Sequence, residues 1–442
     1  MIRVDTSLRV GKIRRLHGTN LAAPMARGEQ VVRDLKDLGI PLARLHDAPL
    51  ENPGMRLVDV SMVFPRFDAD PQDPANYFFA QTDDYIANCL ACADQVSYRL
   101  GESIEHTPKQ YFVVPPKNHK KWAEICINII RHYNEGWADG FHYNLDYWHI
   151  WEEPDNIPKL WAGTWDEFIQ LYVTAARKIK ARFPHLKVGG CAMRDAVGWE
   201  DPAAPARLTQ FLTACREQQA PLDFFTWTCY TDSLARILRE PAMLRGVFNS
   251  HGFTQTELHL AEWHYIPDVL WGDLFGTPER RKRAWDAVNG LDSAAFIAAT
   301  LTGLQDTPIA MANYYAGSTL RWGFYDLHGA RNKCYYAFEA FSLLASHANR
   351  VTAILPAGES GMWALAGRDT SDGIALLLSC LNGPAGQIDI TFDGAGIDAR
   401  KARVLAIDAQ RNLEPLEILR ESSSTLTFSK PAGPAIFFIE AP

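Results

Sequence analysis

From about residue 13 to about residue 345, short apolar runs alternate with longer stretches in which apolar side chains recur every three or four positions. The first pattern predicts strands and the second amphipathic helices, so this part of the chain reads as repeated strand-to-helix units. Eight strand runs are expected, ending near Asn20, Asp47, Glu102, Glu153, Ala192, Tyr230, Tyr265 and Tyr315. Before the strand that delivers Glu153, Trp122, Ile125, Cys126, Ile129, Ile130 and Tyr133 repeat at helical spacing. After it, Thr164-Trp165-Asp166-Glu167 has the form of a capping box, opening a helix with a buried stripe of Phe168, Leu171, Tyr172, Ala175 and Ile179.

Past about residue 350 the texture changes to short strands and turns, as in Gly373-Ile374-Ala375-Leu376-Leu377-Leu378, Ile388-Asp389-Ile390-Thr391-Phe392 and Ala435-Ile436-Phe437-Phe438-Ile439. The expected fold class is therefore α/β, a (β/α)8 TIM barrel over residues 13–345 with an appended C-terminal β-sandwich. The sandwich takes residues 346–442 and is joined by the strand-like residues 1–12. A doubly wound open sheet is the rival, but it would carry a glycine-rich phosphate loop after its first strand, and His17-Gly18-Thr19-Asn20 is no such loop. In a barrel the active site lies at the C-terminal ends of the strands.

Composition narrows the partners. The formal charge of −8 is spread along 442 residues without a basic run, so nucleic acid is not expected. No run of apolar residues reaches a membrane span, and Met1-Ile2-Arg3-Val4-Asp5 lacks the charged-then-apolar pattern of a secretory signal; a cytoplasmic protein is expected. Cys89 and Cys92 have C-x-x-C spacing but no second pair to complete a metal site, and they fall in a helix-like run, so they read as buried thiols of a reducing compartment.

Two strings carry the chemistry: Tyr147-Trp148-His149-Ile150-Trp151-Glu152-Glu153-Pro154-Asp155 and Leu258-His259-Leu260-Ala261-Glu262-Trp263-His264-Tyr265. Each ends an aromatic strand-like run with a carboxylate, and strands four and seven of a barrel open into the same mouth. Glycoside cleavage needs such a pair, one protonated to meet the leaving oxygen and one ionised on the other face of the sugar. Trp148, Trp151, Trp263 and Tyr265 supply flat faces that suit a pyranose ring, although most tryptophans of a chain fill its core. A single Glu at a strand end is usually a solvated or salt-bridged residue; two, at the functional face of one barrel, point to catalysis.

With these motifs the chain resembles glycoside hydrolase family 39, within the large clan of (β/α)8 retaining glycosidases. The similarity runs from His17-Gly18-Thr19-Asn20 to Trp322 and extends over the sandwich. It includes Arg44-Leu45-His46-Asp47, Val63-Phe64-Pro65-Arg66-Phe67-Asp68, Tyr98-Arg99-Leu100-Gly101-Glu102 and Asp223-Phe224-Phe225-Thr226-Trp227-Thr228-Cys229-Tyr230. In that clan an Asn-Glu-Pro motif on strand four carries the acid/base, which the resemblance places on Glu153, and a strand-seven Glu is the nucleophile, here Glu262. The implied activity is exo-acting cleavage of a β-xyloside-like glycoside through a covalent glycosyl-enzyme, with no metal or cofactor. The alternative is a carbohydrate-binding barrel with lost or very weak turnover.

Three positions depart from the family pattern. Glu152 stands where Asn normally donates to the sugar 2-hydroxyl, Thr228 where relatives often have His, and His264 where Asn is expected after Glu-Trp. Altered recognition of the −1 sugar follows. Glu152 either tunes Glu153 through its charge, donates as a protonated carboxyl, or turns to a basic residue as a structural partner. Tyr230 is expected to hydrogen-bond the nucleophile or to pack in the core. His46 and Asp47 suit sugar hydroxyls or a structural pair, with Glu102 and Asn20 on the same face, Tyr315 and Trp322 as an aromatic floor, and Arg194 able to meet a uronate. The loops at Asp70-Pro71-Gln72-Asp73-Pro74 and 268–278 are expected to close the site or to build a contact between copies in a homo-oligomer.

Overall fold

The structure is a computed structural model and describes residues 1–20, 29–45, 56–318, 321–326, 328–359, 361–394 and 397–442. Strand β1 (Ile2–Lys12) precedes eight parallel strands that close into a barrel: β2 (His17–Asn20), β3 (Ala43–Leu45), β4 (Val96–Leu100), β5 (Tyr147–Ile150), β6 (Lys187–Met193), β7 (Phe224–Tyr230), β8 (Glu257–His264) and β9 (Met311–Tyr314). Each pairs with the next in chain order, and β9 returns to β2 through His17↔Ala312 and Thr19↔Tyr314. Every described strand end lies within three residues of the break expected from the apolar pattern. The strands are buried on both faces, as parallel strands covered by helices are, which is why they read as continuous apolar runs.

The helices start and stop where their chemistry dictates. Asn118 caps the helix His119–Glu135 by accepting from the amides of Lys120 and Lys121, and Gly136, at φ +74°, ends it in the left-handed conformation that glycine adopts without strain. Thr164 and Glu167 form the reciprocal capping box of helix Trp165–Arg182, and its stripe from Phe168 to Ile179 is buried. Cys89 and Cys92 lie buried in helix Ala80–Cys92.

The second body is a ten-stranded sheet. To β1 it adds β10 (Asn349–Ile354), β11 (Met362–Arg368), β12 (Ile374–Cys380), β13 (Gly386–Asp393), β14 (Arg403–Ile407), β15 (Asn412–Pro415), β16 (Ile418–Glu421), β17 (Thr425–Lys430) and β18 (Ala435–Ala441). Strands from both halves share one core, to which β14 gives Val404, β17 gives Leu426 and Phe428, and β18 gives Phe437 and Ile439. The curled sheet is thus the appended β-rich domain, with β1 set between β10 and β13.

Alternation along β12 and β18 explains how the bodies join. Leu376, Leu378, Phe437 and Ile439 face the sheet's own core, whereas Leu377, Ile436 and Phe438 belong to the barrel's core. The helix Leu291–Gly303 fills the seam, with every side chain from Ser293 to Thr302 buried, and the Ser379 hydroxyl donates to the Ala295 carbonyl at 2.7 Å. By length and composition the run Pro278–Asp306 would suffice to cross a membrane, but two-thirds of its apolar window is buried inside the protein. Leu377→Ala opens a cavity at this seam and is expected to cost about 2–5 kcal/mol, read as a lowered urea midpoint.

Candidate active site

The ends of β4 to β9 surround a cavity of about 690 Å³. Glu153 and Glu262 both line it, delivered by the loop after β5 and by β8. The backbone at this end of β5 is unusual, since Trp151 and Glu153 have φ of +64° and +33°, sparsely populated for residues with a side chain. Gly101, after β4, leaves room for this turn, because a Cβ there would stand 3.0 Å from the Trp151 Cα.

Glu153 is 8% exposed and is held at both oxygens. Its Oε2 accepts from the Asn156 amide at 2.9 Å and its Oε1 accepts from the Thr228 hydroxyl at 3.2 Å. The same hydroxyl lies 3.2 Å from the Arg194 carbonyl. With a proton on Oε1, Glu153 can therefore donate to Thr228, which then donates to Arg194, so one geometry serves both protonation states. Burial pushes the Glu153 carboxyl well above the usual range, and the negative charges of Glu262, Glu152 and Asp155 push it further, against the Asn156 hydrogen bond.

Glu262 is held differently. Its Oε2 accepts from the Tyr230 hydroxyl at 2.5 Å and its Oε1 from Arg44 Nη1 at 3.0 Å. Thr228 and Tyr230 are alternate residues of β7 on its inward face, and they grip Glu153 and Glu262 respectively. Residues two apart on a strand face the same side, so one strand holds both carboxylates. Burial, then the Glu262 charge, push the Tyr230 phenol up, so it stays a donor.

Arg44 on β3 is 1% exposed and reaches three partners. Nη1 donates to Asn20 Oδ1 at 3.0 Å as well as to Glu262, and Nη2 pairs with Glu152 Oε2. Asn20 in turn donates to the Ala261 carbonyl at 2.8 Å, tying β2 to the strand that carries Glu262. Glu152 is fully buried; that burial raises its carboxyl above the ordinary value, with Arg44 and then Arg99 opposing the rise.

Tyr230, Tyr315, Trp322 and Trp271 form one wall, with Tyr315–Trp322 and Tyr230–Trp271 ring centres 5.5 and 5.7 Å apart. Of the residues expected to touch a sugar, Thr228, Tyr230, Tyr315 and Trp322 line the cavity, and Arg194 does too, already paired with Glu200 at 3.0 Å. The other described ones stand off it: Asn20, Trp148, Trp263 and Tyr265 are not in its lining, and both tryptophans are fully buried. Trp151 packs between Trp122 and Trp161 and donates to the Leu160 carbonyl at 2.8 Å. Glu102 accepts from the Ser61 amide and hydroxyl at 3.0 and 2.5 Å, and with Trp151 lines a separate cavity of about 210 Å³. His264 lies beneath Trp322, its Nδ1 donating to the Tyr265 carbonyl and its Nε2 accepting from Tyr314 at 2.8 Å; burial brings the imidazole down to about 4, so it is neutral. Glu152 turns away to Arg44, and His46 and Asp47 lie outside the described residues.

The sequence reading gave no role to Asn156, Trp199, Arg236 or Phe275, which also line the cavity, nor to Arg44 as a charge. Arg44 had a signal: a cation inside a short apolar strand needs a buried anionic partner. Asn156 had none, because its contact arises from a turn closed by its amide on the Glu153 carbonyl at 2.8 Å. Among the described residues, no group of three or more His, Cys, Asp and Glu is placed to hold a metal ion.

Residues 58–240 match the family model described as Glycosyl hydrolases family 39. A beta-xylosidase of Geobacillus stearothermophilus is 31% identical over 154 residues, 33% of this chain and 26% of that protein. One from Caldicellulosiruptor saccharolyticus is 24% identical over 248 residues, 52% of this chain and 48% of that protein. The chain thus spans about a quarter to a half of the curated relatives it matches. Among solved structures, a glucosidase from Croceicoccus marinus superposes with a TM-score of 0.78 at 22% identity, over 100% of this chain and 98% of that one. A monomeric beta-xylosidase from Caulobacter crescentus gives 0.71 at 16% identity, over 100% and 99%; at these identities the two likenesses speak for the fold. Taken with the motifs around Glu153 and Glu262, the matches make this chain similar to glycoside hydrolase family 39, the family model covering residues 58–240.

Proposed function

We propose that the protein is a retaining, exo-acting glycoside hydrolase that works by double displacement. The observation that carries the reading is the pair Glu153 and Glu262, brought into one cavity in unlike surroundings. Glu153 is buried and surrounded by negative charge, which suits an acid that stays protonated. Glu262 accepts from a guanidinium and a phenol, which orient a carboxylate for attack. The retaining course is the one that the resemblance to glycoside hydrolase family 39 implies.

In the first step Glu262 attacks the anomeric carbon as Glu153 protonates the departing oxygen. In the second, Glu153 removes a proton from water, which attacks the same carbon and frees Glu262. The aromatic wall closes one side of the cavity and favours removal of a terminal sugar. A β-xyloside is the first substrate to test, because the two curated relatives described above are named as beta-xylosidases; altered −1 recognition is supported by Thr228, which lines the cavity, and by the turning of Glu152 away from it to Arg44. Residues 13–345 would form the catalytic domain and 1–12 with 346–442 the accessory one. The eight buried cysteines suit a reducing, cytoplasmic setting.

With 4-nitrophenyl β-xyloside and its gluco counterpart, turnover is expected, and a 2-deoxy-2-fluoro glycoside should leave one sugar covalently on Glu262, read by peptide mass spectrometry. Absence of both product and adduct would overturn the assignment. Glu153→Gln should slow glycosides with poor leaving groups by about 10²–10⁴-fold and activated aryl glycosides far less.

The pH profile carries its own sign. Because Glu153 must hold its proton and its carboxyl is raised, kcat/KM should stay high above the ordinary carboxylate range and fall only as pH rises through the raised value. Tyr230→Phe removes a donor to Glu262 and should lower kcat by about 10–100-fold with little change in KM, measured by steady-state kinetics.

A further inference from the structure

Glu152 is the carboxylate that this mechanism does not use. It adjoins the acid/base, yet it is 0% exposed and no part of it lines the 690 Å³ cavity. Its Oε2 pairs with Arg44 Nη2, while Nη1 of the same guanidinium donates to Glu262 at 3.0 Å. A guanidinium is planar and its donors are fixed relative to one another, so an anchor on one edge sets where the other edge points. Glu152 and Glu262 are therefore two ends of one rigid bridge, which Asn20 completes at 3.0 Å from Nη1.

We propose that Glu152 is a positioning residue: it anchors Arg44 so that the guanidinium presents Nη1 to Glu262, and its engagement there leaves the 2-hydroxyl of the −1 sugar without a contact to position 152. The inference rests on the glycosidase reading and adds a substrate property to it. In glycosidases, hydrogen bonds to the 2-hydroxyl tighten in the transition state and supply much of the rate. A site whose residue before the acid/base faces away from the sugar gives up that gain and accepts glycosides that lack the 2-hydroxyl. Glu152 also has an electrostatic reach, since its charge is among those that raise the Glu153 carboxyl.

The test uses the full chain, the aryl glycoside it turns over best, and the 2-deoxy form of that glycoside. In the unaltered protein, kcat/KM for the 2-deoxy substrate should fall by less than about tenfold; a fall beyond about 10³-fold would show a strong 2-hydroxyl contact and overturn this half of the proposal. Glu152→Gln, of the same shape, should lower kcat by about tenfold with KM within about twofold, and should move the alkaline limb of kcat/KM to lower pH. A raised KM with kcat and the alkaline limb unmoved would place Glu152 on the sugar and overturn positioning. A crystal structure of Glu152→Gln and of Glu152→Ala reads the bridge without turnover: Arg44 is expected to leave Glu262 in the Ala variant, and Arg44 unmoved in both would overturn positioning. If the unaltered protein neither turns over nor forms an adduct on Glu262, the glycosidase reading fails, while the crystal structures still decide the bridge.

Discussion

Three glutamates meet at the mouth of this barrel, and among the described residues a single arginine pairs with them. Removing carboxylates from water is costly unless a cation or a proton compensates each of them, and Arg44 reaches only Glu152 and Glu262. Among the described residues Glu153 has no such partner; its hydrogen bonds come from neutral groups, Asn156 and Thr228. Where that guanidinium sits thus leaves Glu153 as the carboxyl pushed toward protonation, by burial first and then by its acidic neighbours. The rest of the site follows from that division, since an acid needs its proton and a nucleophile needs an ionised, oriented oxygen.

The division depends on backbone positions set far from the chemistry. Arg44 is on β3, Asn20 on β2, Glu262 on β8 and Thr228 with Tyr230 on β7, so only a closed barrel brings them within hydrogen-bond reach. The β-rich domain braces this barrel from the side. Its β12 and β18 give alternate side chains to the barrel's core, and helix Leu291–Gly303, which leads to β9, is gripped between the two bodies. Tyr315 and Trp322 follow β9 directly, so the aromatic wall of the cavity stands on a strand fixed by that seam.

Much of this was legible in the sequence because it rests on local patterns. The eight strand ends, the Thr164–Glu167 capping box and the change of texture past residue 350 are all set by period and by short-range hydrogen bonding. The carboxylates were legible because strand ends in a barrel share one face. Side-chain direction was not. Trp151, Glu102 and His264 are at the right heights in the barrel, but each finds a buried partner, the Leu160 carbonyl, Ser61 and Tyr314, that draws it away from the cavity. Such choices depend on loops brought together from distant parts of the chain. Glu152 turned to a basic residue, one of the alternatives open in the sequence, but that residue's second contact, with Glu262, is visible only in three dimensions.

In the double displacement proposed above, the same charges would let one residue serve as acid and then as base. In the free site the Glu262 charge is the largest electrostatic contribution holding the proton on Glu153, second only to burial. Once Glu262 is esterified by the sugar, that charge is gone, just as Glu153 has given up its proton to the leaving group. Glu153 is then easier to keep ionised, as a base for the incoming water must be. Hydrolysis restores the charge on Glu262 and, with it, the pressure to reprotonate Glu153. The negative charge moves between the two carboxylates through the cycle while the total at the site is unchanged, so the neighbouring Arg44 faces a site of constant charge in both half-reactions. A rigid bridge from Glu152 to the nucleophile suits this chemistry, because the anchored guanidinium does not have to move as the charge does.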